Sequence, residues 1–116
     1  FRSPLALPGE ADLTAHVDFA ALSRAARAAG ALVCGPVTQG ALLTALGIFD
    51  RARALSRRAN GAQAAQISAA VTRLVSSEVG IEVEGGMVDG MGELFKAICV
   101  TAPGMATPAG FEPSQP

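Results

Sequence analysis

The amino-acid sequence predicts an α/β fold, and three observations lead to this prediction. A capped amphipathic helix at residues 19–29 is followed by a short apolar run at residues 31–34. Three helical patterns occupy the middle of the chain, and a second apolar run lies at residues 94–100. Apolar runs this short are typical of buried strands rather than helices.

The composition indicates one small domain with a modest core. The chain has 116 residues, of which 50% are hydrophobic, but it contains only five Phe, no Tyr and no Trp. Large aromatic rings usually supply much of the buried area of a core, so we expect weak stability for the chain by itself. The chain begins at Phe1 without an initiator Met, and its motif at residues 12–19 would follow a strand upstream of the chain, so we expect it to be part of a larger protein.

Charge and hydropathy exclude several functional classes. The net charge is −1, which gives no field that favours nucleic acid or an anionic membrane surface. No apolar run approaches the roughly 18 residues that cross a bilayer, and the first twenty residues lack the features of a secretory signal. We therefore expect a soluble intracellular protein, with a signal upstream of Phe1 as the open alternative. A local excess of basic residues is typical of a solvated helix face. These residues are Arg51, Arg53, Arg57 and Arg58.

The first predicted helix follows an irregular leading segment at residues 1–11, in which Pro and Gly break both periodicities. Asp18 suits the N-cap of this helix, and Gly30 suits its C-terminal left-handed position. Apolar side chains recur at three- or four-residue steps from Phe19, so one face of the helix is predicted to lie on a core.

The strand at residues 31–34 is predicted to close at Gly35-Pro36, and Thr38 is predicted to cap the next helix. The following apolar patterns predict a compact segment of three helices, within about residues 38–75. The predicted helices cover residues 41–46, 48–59 and 62–75.

The C-terminal third alternates between glycine-rich and apolar sequence. Residues 76–92 contain five glycines, and the alternation at residues 81–84 fits either a short exposed strand or a mobile loop, of which we favour the loop. Residues 94–100 predict a mostly buried strand. The Pro-rich residues 103–116 predict a disordered tail, because they offer little apolar area to offset the entropy of ordering.

Four blocks of sequence, in order along residues 8–102, resemble the MidA family of S-adenosylmethionine (SAM) dependent methyltransferases. The family includes the mitochondrial factor that methylates an arginine of a respiratory complex I subunit, and bacterial relatives. The blocks are residues 8–19 (PGEADLTAHVDF), 35–40 (GPVTQG), 46–48 (LGI) and 91–96 (MGELFK).

The resemblance implies that residues 12–102 are the C-terminal part of a class I, Rossmann-like methyltransferase sheet. It implies a last crossover helix at residues 19–29, strand six at 31–34, a three-helix insertion and an antiparallel strand seven at 94–100. Strands six and seven would pair, with Cys34 and Cys99 both on them. Cysteines in apolar runs otherwise behave as small hydrophobes, and two cysteines make no disulfide framework.

The same resemblance implies SAM as the cofactor of the intact enzyme. Class I enzymes hold SAM with a glycine-rich turn after strand one and an acidic residue after strand two, and this chain contains neither segment. The residues 89–92 (DGMG) mimic such a turn, but a strand rather than a helix follows them. We therefore expect the chain alone to be inactive and to need the missing N-terminal half of its own domain as a partner.

Ligands of open α/β sheets gather beyond the carboxyl ends of the parallel strands, and this rule selects the substrate-side candidates. They are Thr14, His16, Asp18, Thr38, Gln39 and Lys96. None is predicted to be catalytic or to bind the cofactor. A metal site is not expected from one histidine and two distant cysteines.

Four of the six candidates also have a structural interpretation. His16 can act as a base or orient a guanidinium, or it can be an ordinary loop histidine. Asp18 and Thr38 are explained by helix capping, and Lys96 by protection of an edge strand. Gln39 has no structural role that the sequence indicates.

The resulting hypothesis is the C-terminal part of a methyltransferase that acts on protein arginine, in complex I assembly, in the mitochondrial matrix or the bacterial cytoplasm. The alternative is a small helical protein-interaction module without catalytic activity, whose arginines face a partner protein.

Overall fold

A computed structural model describes residues 15–112, which form four helices and four strands in a mixed α/β arrangement. The elements are α1 (Phe19–Ala28), β1 (Leu32–Thr38), α2 (Gln39–Ala45), α3 (Ile48–Ser56), α4 (Gly61–Val75), β2 (Ile81–Val83), β3 (Gly86–Val88) and β4 (Lys96–Thr101). None of the helices in this part of the chain has both the length and the apolar character needed to span a bilayer.

Helix α1 begins and ends where the local sequence predicts, within one residue. The Oδ1 atom of Asp18 accepts a hydrogen bond of 2.8 Å from the amide of Ala21, which confirms the predicted N-cap. Gly30 has a φ of 83°, and its amide donates to the carbonyl of Arg27 at 2.9 Å. A residue without Cβ is favoured in this left-handed conformation, so Gly30 turns the chain from α1 into β1.

The predicted end of the first strand at Gly35-Pro36 is wrong, because β1 continues to Thr38. The strand accommodates this dipeptide through a shift of its pairing register between Cys34 and Val37. Gly35 has a φ of 90°, and a Cβ at this position would lie 2.9 Å from the carbonyl oxygen of Ala97. The strand therefore bends at a glycine instead of ending there.

Strands β1 and β4 pair antiparallel, which confirms the predicted pairing of these two segments. Strand β4 begins at Lys96, two residues later than predicted, and none of its side chains is buried. The prediction of a mostly buried strand is therefore wrong for the structure of this chain. The two strands form a sheet of their own among the described residues, and their place in a larger methyltransferase sheet stays a prediction.

The three predicted middle helices are confirmed as α2, α3 and α4. Helix α2 begins directly after β1, and Gly47, with a φ of 81°, separates it from α3. Helix α3 ends at Ser56, several residues before the predicted end near residue 59.

A complete capping box opens α4. The side chain of Asn60 accepts from the amide of Gln63 at 2.9 Å, and the side chain of Gln63 accepts from the amide of Asn60 at 3.1 Å. Two amides that lack partners within the helix are thus satisfied reciprocally.

Replacement of Asn60 by Ala is expected to destabilise α4 by about 1 kcal/mol, because Ala cannot accept the bond from the Gln63 amide. The measurement is the midpoint of urea unfolding, followed by circular dichroism at the helix band. Asn60→Asp retains the acceptor and is the matched control. Equal midpoints for Asn60→Ala and the wild type would contradict the role of the cap.

The predicted loop at residues 76–92 contains a short hairpin, so the loop interpretation is wrong for β2 and β3. Val83 pairs with Gly86, and Gly85 and Gly86 have φ values of 104° and 134°. The turn itself is Glu84-Gly85, and the positive φ values of Gly85 and of Gly86, the first residue of β3, allow this glycine-rich segment to make a strand pair.

The described residues build only a shallow core. No hydrophobic side chain of residues 15–112 is buried, and Leu22, on the face of α1 predicted to pack inward, is 47% exposed. Other large apolar side chains are similarly exposed. They include Leu32, Leu46, Phe49, Val79, Leu94, Phe95 and Val100.

Residues 103–112 contain two turns, at residues 103–104 and 109–110, and lie beside β1 and α2. The amide of Phe111 donates to the carbonyl of Pro108 at 3.0 Å, and the phenyl ring of Phe111 approaches Gly35. The domain boundaries and the disorder expected for residues 103–116 stay predictions.

Candidate functional site

The end of β1 and the start of β4 form the candidate site, and three of the predicted site residues meet there. Thr38 ends β1 directly opposite Lys96 at the start of β4, and Gln39 follows Thr38. The antiparallel pairing thus brings together residues that are more than fifty positions apart in the sequence.

Thr38 has the structural role that its position predicts. Its Oγ1 atom accepts from the amide of Ala41 at 3.2 Å and caps α2. The side chain is half-buried and also borders an open cavity.

Gln39 joins three elements, a role that the sequence did not indicate. Its amide donates to the carbonyl of Phe95 at 2.9 Å, before β4, and its Nε2 atom donates to the carbonyl of Leu74 at 3.0 Å, near the end of α4. The latter carbonyl lies in the last turn of a helix, where carbonyl groups lack intrahelical partners. Gln39 therefore holds the end of α4 against the end of β1.

Gln39→Leu is expected to lower the free energy of unfolding by about 1 kcal/mol, because the Leu74 carbonyl loses a donor. The midpoint of urea unfolding measures this loss. Gln66→Leu changes an exposed glutamine of the adjacent helix and is the matched control, with an expected shift near zero. A loss of equal size in both variants would show that the Gln39 bond adds nothing specific.

Lys96 is exposed, and its Nζ atom donates to the carbonyl of Glu93 at 3.1 Å. Because β4 pairs only with β1 among the described residues, a lysine at its start also suits the protection of an edge strand. The ammonium group is held over the turn that precedes β4.

Two buried glycines bring backbone segments into direct contact at this site. The amide of Gly40 donates to the carbonyl of Gly92 at 2.8 Å, and the amide of Gly92 donates to the carbonyl of Ser76 at 2.7 Å. A Cβ on Gly40 would lie 2.5 Å from the carbonyl oxygen of Val75, and a Cβ on Gly92 would overlap the same atom. We call Gly40, Gly92 and the Val75–Ser76 backbone the glycine junction.

The backbone around the glycine junction also binds the amides of residues 90–92, which belong to the segment that mimics a cofactor-binding turn in sequence. The amide of Gly90 donates to the carbonyl of Glu78, and the amide of Met91 donates to the carbonyl of Arg73, each at 2.7 Å. With the Gly92 bond, three successive amides are thus directed at protein carbonyls. They are not available to a ligand phosphate or carboxylate.

An open cavity of about 500 Å³ lies beside the glycine junction. Its walls combine three hydroxyl groups with one carboxylate and several small residues. The polar lining residues are Thr38, Thr44, Ser77 and Glu93. Glu93 supplies the only charged side chain among the lining residues, so the cavity is suited to a cationic group with several hydrogen-bond donors.

The sequence did not single out Glu93, Ser77 or Thr44. Glu93 lies within the MGELFK block but shows no local pattern that indicates a ligand, and the other two are common helix and turn residues. Only the tertiary contact between α2, the end of α4 and the turn before β4 brings them together.

The remaining candidates lie at the start of the described chain. His16 is exposed and precedes α1, and Asp18 caps that helix. Within residues 15–112, no side-chain hydrogen bond joins either residue to Thr38, Gln39 or Lys96. Thr14 lies outside the described residues.

The arginines of the middle segment are all exposed, and Arg53 forms an ion pair with Asp50 on the same helix. Such an exposed pair contributes little to stability. In the described part of the chain, no cluster of histidine, cysteine or carboxylate side chains has the arrangement of a metal site.

The fold and the site define a small α/β unit with a cavity at the carboxyl end of β1. Comparison with known proteins adds a family relationship for its N-terminal third. Residues 1–37, which end within β1, match the model of a family described as "Putative S-adenosyl-L-methionine-dependent methyltransferase". This part of the chain is therefore similar to SAM-dependent methyltransferases. A comparison with the curated proteins found no match.

Proposed function

We propose that this chain is the C-terminal part of a SAM-dependent methyltransferase of the MidA type, which methylates a protein arginine. The family match over residues 1–37 is the observation that carries the proposal. The four MidA-like blocks extend the similarity beyond Thr38, as far as Lys96. The proposal includes a role in respiratory complex I assembly, in the mitochondrial matrix or the bacterial cytoplasm.

The proposal assigns SAM binding to residues that precede this chain. In class I enzymes the glycine-rich turn and the acidic residue that hold SAM follow the first two strands. The amides of residues 90–92, the nearest imitation of that turn here, already donate to carbonyl groups of the protein. The cofactor supplies an electrophilic methyl group when it is bound. This chain contributes residues that bind the substrate which accepts the methyl group.

The cavity beside Thr38 and Glu93 supports a substrate-side role for the chain. Ligands of open α/β sheets lie beyond the carboxyl ends of the parallel strands, and the cavity lies at that end of β1. The Glu93 carboxylate can accept two parallel hydrogen bonds from a guanidinium, and the hydroxyl groups can accept further ones. Methyl transfer to a nitrogen depends chiefly on alignment and desolvation, and the polar lining of the cavity can contribute to the alignment.

The test uses the full-length natural protein to which this chain belongs. It measures the transfer of the methyl group from radiolabelled SAM to an arginine-containing protein substrate. Glu93→Gln is expected to reduce methyl transfer at least about tenfold, a change of about 1.4 kcal/mol in the barrier, with an unchanged affinity for SAM. Glu78→Gln, at an exposed carboxylate outside the cavity, is the matched control.

Two results would contradict the proposal. An equal loss of SAM binding and methyl transfer in Glu93→Gln would remove this residue from the substrate side. Tight binding of SAM to the isolated chain in a calorimetric titration would overturn the assignment of the cofactor to preceding residues.

A further inference from the structure

Cys34 and Cys99 are direct partners in the β1–β4 ladder, and both are free thiols. In an antiparallel pair, directly opposite residues place their side chains on the same face of the sheet. The register therefore brings together two thiols that are far apart in the sequence, a placement that the cysteine count alone did not indicate.

The spacing of an antiparallel pair is compatible with a disulfide. Opposite Cα atoms are about 5.5 Å apart in a hydrogen-bonded pair and about 4.5 Å apart in a non-hydrogen-bonded pair. Disulfides bridge Cα atoms that are about 4.4 to 6.8 Å apart, so both types of pair meet the Cα requirement. The Cβ atoms must approach to about 3.5 to 4.5 Å, at or just below the usual cross-strand spacing, so bond formation requires a small adjustment of the strands.

The surroundings of the two thiols also permit the reaction. Both cysteines are half-buried rather than enclosed, so an oxidant in solution can reach them. The register irregularity between Cys34 and Val37 begins directly after the first thiol. Such irregularities increase local twist and give the strand freedom to adjust its side-chain directions.

We propose that Cys34 and Cys99 form a reversible cross-strand disulfide when a peroxide oxidises the protein. One thiolate attacks a peroxide oxygen, the O–O bond breaks, and a sulfenic acid forms with release of water. The second thiol then attacks the sulfenic sulfur, the S–S bond forms and a second water leaves. The two thiols together lose two electrons and two protons, and the peroxide is reduced to two waters.

The disulfide links the third of the five paired positions of the ladder, whose last pair is Thr38 and Lys96. It closes a ring of roughly 65 residues that includes helices α2, α3 and α4, and a ring of this size restricts the unfolded chain strongly. Half-exposed disulfides are accessible to thiol reductants, so the bond is reversible. This inference depends on the strand register and not on the proposed methyltransferase function.

The test treats the complete reduced chain with hydrogen peroxide, followed by alkylation and peptide mass mapping. We expect both thiols to become unreactive together, with loss of two hydrogen atoms, and a linked pair of peptides that contains Cys34 and Cys99. Dithiothreitol is expected to restore both thiols, and the oxidised chain is expected to unfold at a higher urea concentration than the reduced chain.

The matched control moves one thiol to the other face of the sheet, by combining Cys99→Ser with Val100→Cys. A shift of one residue along a strand reverses the side-chain direction, so the yield of internal disulfide is expected to fall at least about tenfold. Equal yields in the control and the wild type would overturn the inference, because they would show that the fold does not direct the pairing. Disulfides mainly between chains would also overturn it.

Discussion

Gly92→Ala is expected to abolish the packing between α2, the end of α4 and the segment before β4. A Cβ at this position overlaps the carbonyl oxygen of Val75, and that oxygen belongs to the backbone, so no side-chain rotation can relieve the overlap. Overpacking that forces the backbone to move typically costs about 1 to 3 kcal/mol, and we expect a cost at the upper end of this range. The bonds from Gly40 to Gly92 and from Gly92 to Ser76 are expected to break with it.

The measurement compares amide NMR spectra and circular dichroism of the variant with those of the wild type. Gly61→Ala is the matched control, because a Cβ on Gly61 meets no atom within 4 Å and Gly61 lies in the first turn of α4. Gly61→Ala is expected to leave the spectra unchanged. It is expected to stabilise the helix by up to about 1 kcal/mol. A Gly92→Ala spectrum with wild-type chemical-shift dispersion would contradict the steric role of the glycine junction.

The second large effect concerns Leu22, whose side chain is expected to be covered in the complete protein. The periodicity of α1 places Leu22 on the inward face, yet it is 47% exposed in this chain. Under the proposed function, the preceding half of the methyltransferase domain packs on this face. Leu22→Ala is then expected to cost about 3 kcal/mol in the complete protein, where the side chain is buried.

In the isolated chain the same substitution is expected to cost less, because 47% of the Leu22 surface is already exposed to solvent there. Urea unfolding of both proteins measures the difference. Val79→Ala, at a side chain that is 79% exposed before the hairpin, is the control with a small expected effect in both proteins. Equal costs of Leu22→Ala in the two proteins would contradict the proposed covering.

Local signals predict much of the secondary structure. Asp18 and Thr38 are recognisable as caps, because a short polar side chain directly before an apolar helical period is typical of an N-cap. The extent of β1 is not predictable in this way, since Gly35-Pro36 usually ends a strand and only the register shift against β4 allows it to continue. The β2–β3 hairpin is not predictable from composition, because both loops and tight turns are rich in glycine.

The candidate site is predictable only in part, because its geometry depends on contacts between distant segments. The convergence of Thr38 and Lys96 follows from the expected pairing of the two strands. The role of Gln39 requires knowledge that the end of α4 lies beside it, which no local pattern contains. The position of Glu93 in the wall of the cavity is likewise not predictable from local sequence, because a single carboxylate in a turn is ordinarily solvated.

The bond between the Gly92 amide and the Ser76 carbonyl closes the base of the segment that carries β2 and β3. Because backbone hydrogen bonds fix the base of this segment, the β2–β3 hairpin is expected to tolerate replacement by another sequence. A reporter peptide inserted at the Glu84-Gly85 turn is therefore expected to project outward, while the walls of the cavity keep their spacing.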